Sequence, residues 1–177
     1  MNFKMAYQRL TGYNKSCMKR GFTIIEILIT LAIIGILASV ILPKVQTART
    51  KAEIAVAKSE TVQLRNAIET LAGETTEWPG HQPPGVIGGG ASNNELWDLT
   101  TGEAGLTQTD GLYSNWAGPY IPDVPLDPWG NPYFFDTDYD IGTSSTIWTA
   151  VVGSFGPNGD GHNVYDSDNI ITELITD

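Results

Sequence analysis

Hydrophobic residues are massed near one end of this chain and thinned along the rest. Residues 22–42 read FTIIEILITLAIIGILASVIL, twenty-one positions interrupted by a single charge, Glu26. As a helix at about 1.5 Å per residue this run spans roughly 30 Å, the thickness of a bilayer core. Pro43 is expected to end or kink it, and Gly35 weakens it upstream. From 44 to 72 the chain is rich in Ala, Glu, Lys, Gln and Leu, all strong helix formers. Ala48, Ala52, Ala55, Ser59 and Val62 recur at three- and four-residue spacing as a narrow stripe, and Leu64, Ile68 and Leu71 continue an apolar face with bulkier side chains. The bulky half is expected to pack on a globular head, with Gly73 as the stop. A helix over 22–72 would be roughly 75 Å long.

After Gly73 no long period survives. Residues 74–95 carry Pro79, Pro83, Pro84 and a glycine run at 88–90, which reads as a loop. The glycines lack the Lys-Ser/Thr and the leading strand of a phosphate cradle. A short helical turn is predicted over 94–99, with Leu96, Trp97 and Leu99 facing inward. Residues 118–133 hold five prolines and read as extended and turn-rich, while 133–135 and 146–152 read as antiparallel strands. Asp136, Asp138 and Asp140 alternate without a Gly or a closing Glu, and a solvated segment is expected there.

Charge sharpens the picture. Ten basic residues face twenty acidic ones, net −10, and the signs are segregated. The first 21 residues hold five of the basic groups and no acid, so the remainder stands at 5 basic against 20 acidic, net −15. No Lys or Arg follows Arg65. Such a surface is wrong for nucleic acid, which needs basic residues, and it must hydrate its carboxylates or bind cations. The basic residues ahead of the apolar run place the N-terminus in the cytoplasm. A secretory signal would have a shorter apolar core followed by a small-x-small site, and neither is present. Cys17 is the sole cysteine, so no disulfide forms within the chain. No nucleophile–base–orienter set is present, and His81 and His162 fall in loops where solvated side chains are expected; the chain is not read as an enzyme.

Glu26 is the anomaly, since a carboxylate five residues into a membrane helix is costly and by default marks function. The run Lys19-Arg20-Gly21-Phe22-Thr23-Ile24-Ile25-Glu26 resembles the processing site of type IV prepilins and type II secretion pseudopilins. The resemblance implies cleavage between Gly21 and Phe22 by a membrane peptidase, which then N-methylates Phe22. The leader is long for the family, which admits a start at Met5 or Met18. Pairing Glu26 of one subunit with the Phe22 amine of its neighbour would cancel two penalties in lipid; Glu26 could equally pair with its own terminus, about one turn away.

Two further segments carry the resemblance. Asp127-Pro128-Trp129-Gly130-Asn131-Pro132-Tyr133 is similar to the D-P-W-G-x-x-Y signature of the major pseudopilins, where Asp127-Pro128 would open a turn, Gly130-Asn131 relax it, and Trp129 and Tyr133 anchor the core. The segment 154–170 is rich in Asp, Asn and Gly, and closely spaced oxygens suit Ca²⁺, though its spacing is not that of an EF-hand. It resembles the S-x-G-x-x-G…D-D-I calcium loop of the same family, which makes Ser154, Asp160, Asp166 and Asp168 the implied ligands of a structural Ca²⁺.

The expected fold is therefore α+β: a pilin fold with one long N-terminal helix, its first half transmembrane, packed on a small antiparallel sheet. The expected divisions are a cleaved leader (1–21), an apolar assembly helix (22–43), an amphipathic helix half (44–73) and a periplasmic head (74–177). The resemblance implies a pseudopilus subunit in the inner membrane that polymerises with copies of itself. It further implies dealings with the prepilin peptidase/methyltransferase, an inner-membrane assembly platform and minor pseudopilins, with no nucleic-acid partner. A type IV pilin of a surface fibre is the alternative; many such pilins close the head with a disulfide that this chain lacks.

Overall fold

The computed structural model describes residues 21–87, 94–142 and 145–174; the leader up to Arg20 and the glycine run at 88–90 lie outside these. The chain divides into two units, Met1–Lys44 and Val45–Asp177. One helix, α1 (Ile24–Thr75), belongs to both.

In the first unit the described part of α1 is apolar on every side, and nearly all of it is exposed, including Ile25, Leu28 and Ile34. Among the described residues it is the one helix long and apolar enough to cross a membrane. The helix does not end at Pro43, which sits inside it. A proline removes one backbone donor, but the helix formers that follow carry the ladder onward. Gly73 does not stop it either. Thr75 closes the helix, its Oγ1 donating to Leu71 O (2.8 Å) and accepting from Glu77 N (3.1 Å), and Thr76 follows at φ +62°.

In the second unit α1 buries Ala57, Thr61, Leu64, Ala67, Ile68 and Leu71. They face a four-stranded antiparallel sheet in the order β1 (Glu95–Leu96), β2 (Phe134–Asp140), β3 (Trp148–Ser154), β4 (Ile170–Glu173). Side chains alternate across a sheet, and here both faces are covered. Phe135, Ala150 and Val152 join Leu64, Ile68, Leu71, Trp78 and Leu99 on the helix side. Phe134, Tyr139, Val151 and Phe155 form a second cluster, with Trp97 and Tyr165 packed against it. That explains the adjacent pairs Phe134-Phe135 and Val151-Val152, one residue for each layer. Gly153 is required in this arrangement, because a Cβ there would come within 2.6 Å of the Phe134 ring. The sheet is tied back to the helix at its far edge, where the hydroxyls of Thr61 and Thr172 meet at 2.8 Å across 111 residues of sequence.

Two further expectations fail here. The segment 94–99 is not a helical turn: Glu95 and Leu96 pair with Asp136 and Phe135 as an edge strand. Leu99 is buried as expected, but it is held by a hydrogen bond from its N–H to Tyr133 O (3.1 Å). Two of the three alternating aspartates are not solvated, while Asp140 at the strand end is half-exposed. Asp136 and Asp138 lie in β2 and are buried, because the β4 side and the 162–165 loop cover the far face of the sheet.

Candidate functional site

At the start of α1, Thr23 and Glu26 cap the helix. Thr23 N and Thr23 Oγ1 both donate to Glu26 Oε2 (2.7 and 2.8 Å), and Glu26 N donates to Thr23 Oγ1 (3.3 Å). This is a capping box, T-x-x-E, with each side chain satisfying an orphan backbone donor of the other. The spacing was readable in the sequence but was overshadowed by the charge of Glu26 in an apolar run. Gly21 and Phe22 precede the first helical turn, and Phe22 is exposed. Glu26 is thus fixed one turn inside the helix, at the head of the exposed apolar segment.

The second group lies at the end of β3. Asp127 organises its turn through Oδ1, which accepts from Trp129 N (3.0 Å) and Asn131 N (2.8 Å), while Gly130 N donates to Asp127 O (2.9 Å). Gly130 has φ +93°, the left-handed region its position in the turn requires. Tyr133 is fully buried, with its hydroxyl donating to Glu60 of α1, but Trp129 is only half-buried and belongs to neither core cluster. Asp127 Oδ2 accepts from Ser154 Oγ (2.6 Å), and Ser154 Oγ in turn accepts from Gly156 N (3.0 Å). The two segments read separately from the sequence are joined by this bond.

Of the four implied calcium ligands the structure brings two together. Asn158 Nδ2 donates to Asp166 Oδ2 and to Asp168 Oδ1 (both 2.7 Å), and its backbone N–H donates to Asp168 Oδ2 (3.0 Å). Both carboxyls feel a raising push from burial. At Asp166 the hydrogen bonds from Asn158, Asp168 and the backbone N–H groups of Asp168 and Asn169 together outweigh it and hold the group below its usual range, whereas Asp168, beside the charge of Asp166, ends above its own. Asp160 meets the group through its backbone N–H, which donates to Asn158 Oδ1 (2.8 Å). Ser154 is fully buried and committed to Asp127. Among the described residues no three Asp, Glu, His or Cys side chains are grouped to hold a metal ion. The donors therefore fit a dication in part: Asp166 and Asp168 converge with an amide, Asn158, that was not among the implied ligands. Gly156 (φ +71°) keeps the turn tight, since a Cβ there would sit 2.1 Å from Asp168 O.

His81 is not a solvated loop residue. Its Nδ1 is 2.6 Å from Glu77 Oε2 and its Nε2 3.0 Å from Asp110 Oδ2, with Tyr113 against the ring at 4.1 Å. Burial favours the neutral ring, but Asp110 and Glu77 outweigh it and raise the histidine above its usual range. His162 remains exposed, stacked on Trp97 at 4.3 Å.

Comparison with known proteins agrees with these features. Residues 17–42 match the prokaryotic N-terminal methylation motif, and residues 93–170 match the type II secretion system protein G family. The type II secretion system core protein G of Escherichia coli (strain K12) is 30% identical over 142 residues, covering 80% of this chain and 88% of that one. Its counterpart in Pseudomonas aeruginosa is 29% identical over 150 residues, 84% of this chain and 93% of that one. A type IV major fimbrial protein, FimA of Dichelobacter nodosus, is 35% identical over 97 residues, but over 51% of this chain and 61% of that one. From the capped apolar helix through the Asp127 turn to the acidic loop, the chain belongs to the type II secretion system core protein G family.

Proposed function

We propose that this chain is the structural subunit of a type II secretion pseudopilus. In this reading it is cleaved between Gly21 and Phe22, methylated on the Phe22 amine, and held by α1 in the inner membrane with its head in the periplasm. It then polymerises through the apolar half of α1. The observation that carries the reading is that exposed, all-round apolar helix with Glu26 fixed at its head. An apolar helix left uncovered by the described residues needs lipid or copies of itself. The Asp127 turn and its buried bond to Ser154 serve as architecture, not catalysis. A surface type IV pilus is the second reading; the FimA similarity favours it, but over half of the chain only.

Two substitutions at one position test the assembly role. Glu26→Leu is expected to insert in the membrane and to fail to build filaments. Glu26→Gln is the sharper variant, because Gln keeps the capping box and removes the charge. Loss of filaments with Glu26→Gln supports pairing of the carboxylate with the Phe22 amine of a neighbour. Filaments at normal yield would reduce Glu26 to a helix cap.

A structural Ca²⁺ completes the proposal. Asp166 and Asp168 would hold it in place of the Asn158 amide N–H groups that now bridge them, and it would supply positive charge to a head that has no Lys or Arg after Arg65.

A further inference from the structure

The basic residues of α1 are set in a pattern that the helix itself does not use. Lys44, Lys51, Lys58 and Arg65 stand at intervals of seven. Seven residues are nearly two helical turns, so the positions drift by only about 20° per step and share one side of the helix. In the second unit Lys51 and Lys58 are exposed, and neither has an ion pair among the described residues. They lie off the face that Ala57, Leu64, Ile68 and Leu71 bury.

The same unit holds a complementary receptacle. A groove of about 270 Å³ runs between α1 and the segment 121–125, walled by Leu64, Ile121, Pro122 and Pro125, with the carboxylates of Glu60 and Asp123 on it. Asp123 is exposed. An apolar wall ending in carboxylates suits a lysine, whose methylene stem packs while its ammonium stays at the rim. The chain's own lysines are badly placed to enter. Lys58 is two residues from Glu60 and points elsewhere on the helix, and Lys51 is nine residues back, about 14 Å along the axis.

We propose that Lys51 or Lys58 of one copy seats in the Glu60/Asp123 groove of the next, forming a charged contact between heads that sets the register of the polymer. The inference rests on the filament reading above and adds where successive heads touch. Stripe and groove are different patches of one surface, so the contact is heterologous, and a heterologous contact that does not close propagates as an open helical filament. The charge balance points the same way. All the basic residues outside the leader lie between Lys44 and Arg65, and most of the acids lie beyond, so positive helix and negative head attract between copies.

The test uses the full chain, produced with its processing and assembly machinery. Cys17 is replaced by Ser, so introduced cysteines are the only ones. Asp123→Cys is combined with Lys51→Cys or with Lys58→Cys and treated with a short bis-maleimide. A covalent ladder of multimers from at least one pair, absent from the single-cysteine chains, is expected. Asp123→Lys should lower filament yield at least tenfold without changing protease resistance of the head, and adding Lys51→Asp or Lys58→Asp should restore it. Filaments that form normally with Asp123→Lys and give no ladder at either lysine would overturn the contact and leave the pseudopilin reading standing. That result, with binding to anionic lipid vesicles lost in Lys51→Asp, would assign the stripe to lipid headgroups. A parent chain that builds no filament at all would sink both.

Discussion

Asp136 offers the most demanding check on the account of the head. It lies in β2, fully buried, directly across from Glu95 and two residues from Asp138. Oδ1 accepts from Asp138 N (2.8 Å), and Oδ2 has no hydrogen-bond partner among the described residues. Burial, then the neighbouring Asp138 and Glu95, push its carboxyl from 3.8 up to about 8. The group is therefore protonated in the folded head at neutral pH and ionised in the unfolded chain. A folded value above the unfolded one gives stability that is fully present below about 4 and is lost as pH rises toward 8. At about 1.4 kcal/mol per unit, the deficit at pH 7 reaches about 4 kcal/mol as a ceiling. Asp136→Asn supplies a neutral group of the same shape that still accepts from Asp138 N. The variant should match the parent at pH 4 and gain with each unit above it, reaching roughly 2–4 kcal/mol at pH 7. Urea unfolding of the full chain in detergent, at whole-unit steps from pH 4 to 8, measures this directly. A constant gap between variant and parent, or a variant less stable at pH 7, would refute the reasoning and place an ionised Asp136 in the fold.

Three other outcomes follow from the geometry. His81→Gln should lower stability by roughly 1 kcal/mol at pH 6, because only a protonated ring donates to both Glu77 and Asp110. The raised histidine makes that contribution whole below 6.5 and lost as pH climbs through its folded value, while the lowered Asp110 makes it fail again in acid; a variant–parent difference unchanged between pH 6 and 9 would count against the bridge. If Asp166 and Asp168 hold Ca²⁺, a saturating excess of about a hundred dissociation constants should add roughly 2.7 kcal/mol, and the gain should vanish in Asp166→Ala and Asp168→Ala; identical melts with calcium and with chelator would remove the metal. Gly156→Ala should destabilise by roughly 1–3 kcal/mol, since φ +71° and a Cβ 2.1 Å from Asp168 O combine strain with a clash, and circular-dichroism melts of the variant check it.

What the sequence made legible was whatever depends on local chemistry. The apolar run, the helix formers after Pro43 and the turn at Asp127-Pro128-Trp129-Gly130 each carry their own signal. What it hid depends on neighbours far along the chain. β1 is two residues long, and Leu96, Trp97 and Leu99 fit a helical turn as well as an edge strand, so only pairing with Asp136 and Phe135 decides. β4 went unread because Ile170 and Ile171 follow an acidic loop, and two apolar residues make a weak strand pattern. The aspartates of β2 read as solvated because alternating acids normally mark a wet face; Tyr165 and Trp97, remote in sequence, cover that face. The bonds of Asn158 to Asp166 and Asp168, and of the Ser154 hydroxyl to Asp127, likewise join residues too far apart in the chain for any local spacing to announce.

The bond between Thr61 and Thr172 has a consequence in time. It joins α1 to the last strand across 111 residues, and β4 pairs with β3 close to the end of the chain. Contacts so remote in sequence form slowly, since a long loop must close before they contribute. A head emerging in order would hold its helix and central hairpin for some while before the sheet edge was finished. Any copy that reached a growing polymer ahead of that moment would present an unpaired strand, so the pace of export and the pace of closure must be matched.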